Sequence, residues 1–215
     1  MYYPTTHLAY AATDESLESI FQSLHPQNNA RVLSICGSAD QPFALLSDVA
    51  EDGLIFAIDR NSEQIKYGVW RKVRLAEGDL RAFLGLPAVR KEVPQPKNFH
   101  SFFTPKTFEK IRKRLDNIQF HNLSFEAAVT KGPWSHLYLS NITMDSEGHY
   151  WQLVADNLQP GGFVYHACVS SWRDQSIKQR TQVNNIPPVL VIDQKRTAIA
   201  QKYTNYYNPI VLQKI

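Results

Sequence analysis

Cysteine is scarce here: Cys36 and Cys168 are the two present in 215 residues. That number excludes a disulfide framework and a cysteine-built metal cluster, and both residues are expected as inert thiols on buried strands. No histidine, cysteine and aspartate cluster has metal-ligand spacing, so no metal is expected. No apolar run approaches the ~20 residues of a membrane-spanning helix. The opening residues, MYYPTTHLAY, lack the basic and apolar regions of a secretory signal. A cytoplasmic protein is the expectation. Internal repeats and low-complexity segments are also missing. With 43% hydrophobic and 20% charged residues, the chain reads as one globular domain, 1–215, with a proper core.

Against those absences stands the stretch 30–61, ARVLSICGSADQPFALLSDVAEDGLIFAIDRN. Residues 31–36 form a short apolar run suited to a buried parallel strand. The run breaks at Gly37-Ser38-Ala39-Asp40, and 42–49 reads as a helix with Pro42 in its first turn. A second apolar strand, 54–58, ends in Asp59. This βαβ unit sets backbone N–H groups and a strand-end carboxylate near one another, as nucleoside-binding turns require. Glycine is too thin for a pyrophosphate cradle, because Gly37 stands alone and Asp40 would repel a diphosphate. S-adenosylmethionine (SAM), a sulfonium without phosphate, tolerates an acid there. An ordinary βαβ unit with an acidic strand end accounts for the same spacing.

A helix is predicted over 14–24, capped by Thr13 or Asp14, with Leu17, Ile20, Phe21 and Leu24 at helical spacing. After the second strand, 62–74 reads as a helix with Ile65, Val69 and Val73 on its apolar side. Further strands are expected at 118–123, 136–139, 163–169 and 210–214, and 189–192 is open between strand and helix. Helices are expected at 107–115, 125–129, 150–158 and 196–203, with Gln159-Pro160-Gly161-Gly162 as a stop before the fifth strand. The alternation defines a doubly wound α/β sheet. Residues 86–105 carry four prolines and three phenylalanines and cannot be one regular element. A lid over a ligand site and a packed surface loop are both consistent with them.

The net charge of +3 is unevenly spread. Between Asp59 and Arg114 fourteen bases face six acids, a local +8. An anionic lipid or nucleic-acid footprint and a set of solvated helix faces are the two readings.

The series VLSICGSAD, FAIDRN, HLYLSNI and LQPGGFVYHA resembles the class I SAM-dependent methyltransferase-like superfamily. More narrowly, it is similar to the S-adenosylmethionine:diacylglycerol 3-amino-3-carboxypropyl transferases of betaine-lipid synthesis and their relatives. The resemblance implies a Rossmann-like sheet of about seven strands, mostly parallel with an antiparallel C-terminal strand, and SAM as cofactor. It places Asp59 on the ribose hydroxyls, and Gly37, Ser38 and Ala39 beside the ribose and the methionine portion. Asp40 becomes a partner for the methionine ammonium. Arg60 and Asn61 border the adenine, and Asn122, Leu123 and Ser124 lie where the adenine amine is read. Asn122 and Ser124 serve equally well as caps of the 125–129 helix. Ser140 and Asn141, at the tip of strand four, face the sulfonium and are the catalytic candidates, although Asn141 also suits a bond to its own loop. The implied reaction is 3-amino-3-carboxypropyl transfer to a hydroxyl-bearing small-molecule or lipid acceptor. Methyl transfer is the alternative, and a non-catalytic SAM- or nucleoside-binding protein is the second. Peripheral contact with an anionic membrane surface is allowed, and nucleic acid is not an expected partner.

Overall fold

The computed structural model describes residues 8–10, 12–13, 15–26, 29–84, 102–140, 142, 148–167, 185–202 and 208–215. Helix α1 (Leu17–Leu24) precedes β1 (Arg31–Ile35), α2 (Asp40–Leu46) and β2 (Leu54–Asp59). Next come α3 (Ser62–Ala76), the single turn α4 (Leu80–Phe83), α5 (Pro105–Arg112) and β3 (Ile118–Asn122). Then follow α6 (Phe125–Val129), β4 (Trp134–Ser140), α7 (His149–Asn157) and β5 (Leu158–Ala167). The last elements are β6 (Leu190–Ile192), α8 (Gln194–Gln201) and β7 (Ile210–Lys214).

The strands form one sheet in the order β3-β2-β1-β4-β5-β7-β6. The pairs from β3 through β5 are parallel, and β7 runs antiparallel between β5 and β6. The reversal after β1, where one connection runs outward to β2 and the next strand lies on the other side, creates the crevice in which such sheets hold ligands. The doubly wound, seven-stranded arrangement predicted from the sequence is therefore observed.

Side-chain alternation divides the core in two. Val32, Ile55, Ala57, Tyr138, Tyr165 and Val211 pack with α1, α2 and α5 on one face of the sheet. Leu33, Phe56, Ile58, Leu139, Val164 and Leu212 pack with α6 and α7 on the other. Both faces are covered, so the strands read as continuous apolar runs rather than as alternating ones.

Several boundaries differ from the sequence reading. Helix α1 starts at Leu17, and its cap is Ser16, whose hydroxyl accepts from the Ser19 N–H. Helix α2 begins at Asp40, two residues ahead of Pro42. Gln159–Gly162 is not a stop before the fifth strand but part of it. Leu158 already pairs with Trp134, and Phe163 with His136, so four residues of β5 stand against one of β4. The excess is taken up as a bulge around Gly161, at φ +76°. Of the stretch 86–105, residues 102–105 are described. Phe102 and Phe103 are buried and Pro105 opens α5, so this end packs into the core. The remainder of that stretch and Cys168 lie outside the described residues.

The largest disagreement concerns α3. Val69 and Val73 are 44% and 45% exposed, whereas Gln64, Tyr67, Gly68 and Arg71 are buried. The inward side of α3 carries polar groups because it faces the polar backbone after β1. Gly68 is required by a close approach, since a Cβ there would lie 2.5 Å from a Phe120 ring atom.

Two strand histidines make stability acid-sensitive. Burial, aided by the Arg196 charge, holds His136 down to about 4, and burial also pushes His166 below its ordinary value. An unfolded histidine takes up its proton near pH 6.5, whereas folded His136 does so only near 4. Stability is expected to fall as pH drops through that window. Urea midpoints measured against pH should show the fall in the wild type and a shallower one in His136→Gln. Equal slopes would clear this residue.

Candidate functional site

The four residues between β1 and α2 fold against a buried ion pair. Gly37 and Ala39 both take positive φ, +48° and +68°. Gly37 does so freely, but Ala39 carries a strain of about 1–2 kcal/mol for an L-residue. Arg71, reaching in from α3, holds the residues on either side of it. Its Nη1 donates to the Ser38 carbonyl and to Asp40 Oδ1, both at 2.6 Å, and its Nε donates to the Phe83 carbonyl at 2.8 Å. Both charged side chains are 1% exposed. Asp40 Oδ2 accepts from the Thr13 N–H at 2.9 Å and the Ser38 hydroxyl at 2.6 Å.

Asp40 therefore does not await a ligand ammonium, contrary to the sequence expectation. It is fully engaged inside the protein, as an anion at the first turn of α2. Arg71, likewise, leaves the tally of surface bases.

At the tip of β2, Asp59 is half-buried. It accepts from the Gly37 N–H at 3.1 Å and the Asn61 N–H at 2.9 Å, which ties the ends of β1 and β2 together. Burial raises its pKa, with those N–H groups pulling the other way. Cys36, alongside, is fully buried, and its thiol is pushed well up by burial and by the Asp59 charge. That keeps it inert.

A cleft of about 410 Å³ opens over the C-terminal ends of β1, β2 and β4. Its floor is Ile35, Ile58, Asp59 and Ser140, and Leu123 and Phe125 form one wall. Arg60, Glu126 and Tyr150 form its rim. Arg60 pairs with Glu126 at 2.9 Å, and the Tyr150 hydroxyl donates to the same carboxylate. The Tyr150 hydroxyl, foremost, holds the Glu126 carboxyl down to about 2.

Tyr10, Ile35 and Ser140 also line a smaller extension, of about 40 Å³, completed by Thr13, Glu15, Gly37, Ser38, Gln41 and Tyr138. The N-terminal segment reaches this place through Gln64. Its carboxamide accepts from the Tyr10 N–H at 3.2 Å and donates to the carbonyls of Tyr10 and Gly37. In the extension the Tyr138 hydroxyl donates to Glu15 Oε1 at 2.7 Å, as does the Ser140 hydroxyl.

Of the residues singled out in the sequence, Gly37, Ser38, Asp59, Arg60, Leu123 and Ser140 line the cleft or its extension. Four others have different work. Ala39 is buried at the start of α2. Asn61 caps α3, accepting from the Glu63 N–H at 3.0 Å. Asn122 donates to the carbonyls of Asp59 and Arg60 at 2.9 Å each, bracing the β2 end from β3. Ser124 caps α6, accepting from the Ala127 N–H. Asn141 lies outside the described residues. Sequence reasoning missed Tyr10, Glu15, Glu126 and Tyr150. Tyr10 and Glu15 precede the first periodic element, and nothing in their spacing marks them.

Among the described residues, no group of three or more His, Cys, Asp or Glu could hold a metal ion, and no helix is long and apolar enough to cross a membrane.

No family model matches the chain, and no curated protein matches it. Solved structures do match in fold. A protein of Clostridium thermocellum assigned as an rRNA methylase aligns with a TM-score of 0.56 at 12% identity, over 95% of this chain and 98% of its own. TrmN from Thermus thermophilus aligns at 0.54 and 15% identity, over 99% of this chain but 52% of its own. The precorrin-6y C5,15-methyltransferase of Geobacter metallireducens aligns at 0.51 and 13%, over 99% of both. The fold is the Rossmann-like one shared by these structures. The narrower likeness to betaine-lipid synthases finds no counterpart among these structures.

Proposed function

We propose that the chain is a SAM-dependent transferase, and that methyl transfer is its reaction. The observation that carries this reading is Asp59. It is a half-buried carboxylate at the tip of β2, fixed by the loop after β1 and facing a cleft wide enough for a nucleoside. Asp59 would take the ribose hydroxyls, with Leu123 and Phe125 beside the base. Gly37, whose missing side chain leaves open space, would pass the ribose toward the extension. SAM, when bound, supplies an already activated carbon. The chain's own task is then alignment and exclusion of water at the end of β4, near Ser140. Asp59 and Glu126, the carboxylates of the main cleft, are already engaged by N–H groups and by Arg60 and Tyr150, which suits a reaction governed by positioning.

Structural neighbours named as a methylase and a methyltransferase support methyl transfer over the 3-amino-3-carboxypropyl transfer expected from the sequence resemblance. Turnover mixtures analysed by mass spectrometry should yield S-adenosylhomocysteine. Methylthioadenosine would restore the aminocarboxypropyl reading, and neither product would leave a binding protein. The acceptors to screen include RNA, because an assigned rRNA methylase is among the neighbours and α5 with its C-cap presents Lys106, Lys110, Arg112 and Lys113 to solvent. Small hydroxylated molecules and lipids complete the panel.

Asp59→Ala is expected to weaken SAM binding by about 1.5–3 kcal/mol, the scale of hydrogen bonds to a charged group. Calorimetry on a variant shown to be folded checks this. Unchanged affinity would take Asp59 out of the site.

A further inference from the structure

We propose that Glu15 is the carboxylate that receives the α-ammonium group of the cofactor's methionine portion, an inference that rests on reading the cleft as a SAM site. The residue at the β1 turn that would fill this role, Asp40, is consumed by Arg71, Ser38 and Thr13. Glu15 has a different setting. It is 2% exposed, and the hydroxyls of Tyr138 and Ser140 fix its Oε1 at the end of β4. It lines the extension, whereas Asp40 does not.

The extension opens from the main cleft, since Tyr10, Ile35 and Ser140 belong to both. Its volume of about 40 Å³ accepts roughly three water-sized groups, which is too small for a nucleoside but enough for an ammonium-bearing carbon. An ammonium brings three donors and no acceptor, so it needs acceptors from the wall. In a place shielded from water, a charge-assisted bond to a carboxylate is the strongest such contact.

Two carboxylates thus divide the ligand. Asp59, in the main cleft, meets neutral ribose hydroxyls, and Glu15, in the extension, meets the positive charge. Such a division predicts selectivity for ligands with an intact amino-acid end. 5′-Methylthioadenosine has the nucleoside but no ammonium, and deaminated S-adenosylhomocysteine keeps the chain but loses the charge.

Calorimetry of the wild type and Glu15→Gln with S-adenosylhomocysteine and these two ligands tests the assignment. The wild type is expected to prefer S-adenosylhomocysteine over its deaminated analogue by about tenfold to a hundredfold. Glu15→Gln should abolish that preference and leave methylthioadenosine binding unchanged, whereas Asp59→Ala should weaken all three. If Glu15→Gln fails to fold by circular dichroism, Glu15→Asp replaces it. The charge is then kept but drawn back by one methylene, and S-adenosylhomocysteine alone should weaken. Equal binding of all three ligands by the wild type, or an undiminished preference in the folded variant, overturns the role of Glu15. Failure of the wild type to bind any of them overturns the SAM reading itself.

Discussion

Replacing Arg71 by methionine is expected to cost about 3–5 kcal/mol of stability, the usual result of leaving one member of a buried ion pair behind. The stranded group is Asp40, whose side chain is 1% exposed and cannot recover its hydration. The carbonyls of Ser38 and Phe83 also lose a donor. Asp40→Asn in the Arg71→Met background should restore part of the loss, because the uncompensated charge is removed and Ser38 and Thr13 still have an oxygen to bond. Urea unfolding of the two single variants and the double variant measures this directly. A midpoint for Arg71→Met close to that of exposed Arg81→Met would show that the pair carries no stability. Ala39 holds its positive φ only while both neighbours are pinned, so SAM affinity should fall along with stability.

Phe83→Ala is expected to have an effect of the same size, about 3–5 kcal/mol, as for other large core truncations. Phe83 is 0% exposed and is the centre of an aromatic cluster. Phe43, Phe103 and Phe108 meet it edge-on, with centroids at 5.0, 5.5 and 5.5 Å, each pair adding about 0.5–1.5 kcal/mol beyond area burial. Arg71 lies over its ring at 4.4 Å. A single helical turn such as α4 has almost no stability of its own. Its cap by Asp79 and the anchorage of Phe83 hold it in place. Phe83→Leu should cost less, because much of the volume is retained. The Arg71→Met and Phe83→Ala losses should not add, since the two side chains touch. Strict additivity in the double variant would mean that the guanidinium–ring contact is energetically empty.

Both residues show where sequence reading succeeds and where it stops. β1, β2, α6 and β7 were legible because a sheet covered on both faces imposes uninterrupted apolar runs, and short helices announce themselves by their caps. Asp59 was legible for a related reason: a charged residue at the end of such a run marks where the strand leaves the core. Arg71 was not. An arginine on a helix that also carries Lys66, Lys72 and Arg74 looks solvated, and its burial depends on Asp40, 31 positions earlier. Buried polar pairs are complementary in space and leave no period in the chain. The same holds for Gln64, which meets Tyr10 across 54 positions, and for Glu15, which meets Ser140 across 125. The loop after β1 depends on a contact of the same kind. Its poverty in glycine looked like a weakness, yet a cation inserted from another helix holds it in shape.

The position of β7 between β5 and β6 constrains the order in which a ribosome can build this protein. Strands β1 to β5 are all synthesised by Ala167, and helices for both faces are in hand by then. The outer edge of β5 nevertheless has no partner until Ile210–Lys214 emerges, because Phe163–His166 hydrogen-bonds to that segment. During that interval the nascent chain presents a row of unpaired N–H and C=O groups beside Val164 and Tyr165, a template for pairing with a neighbouring chain. Translation speed between β5 and β7, and any chaperone that shields that edge meanwhile, therefore bear on yield.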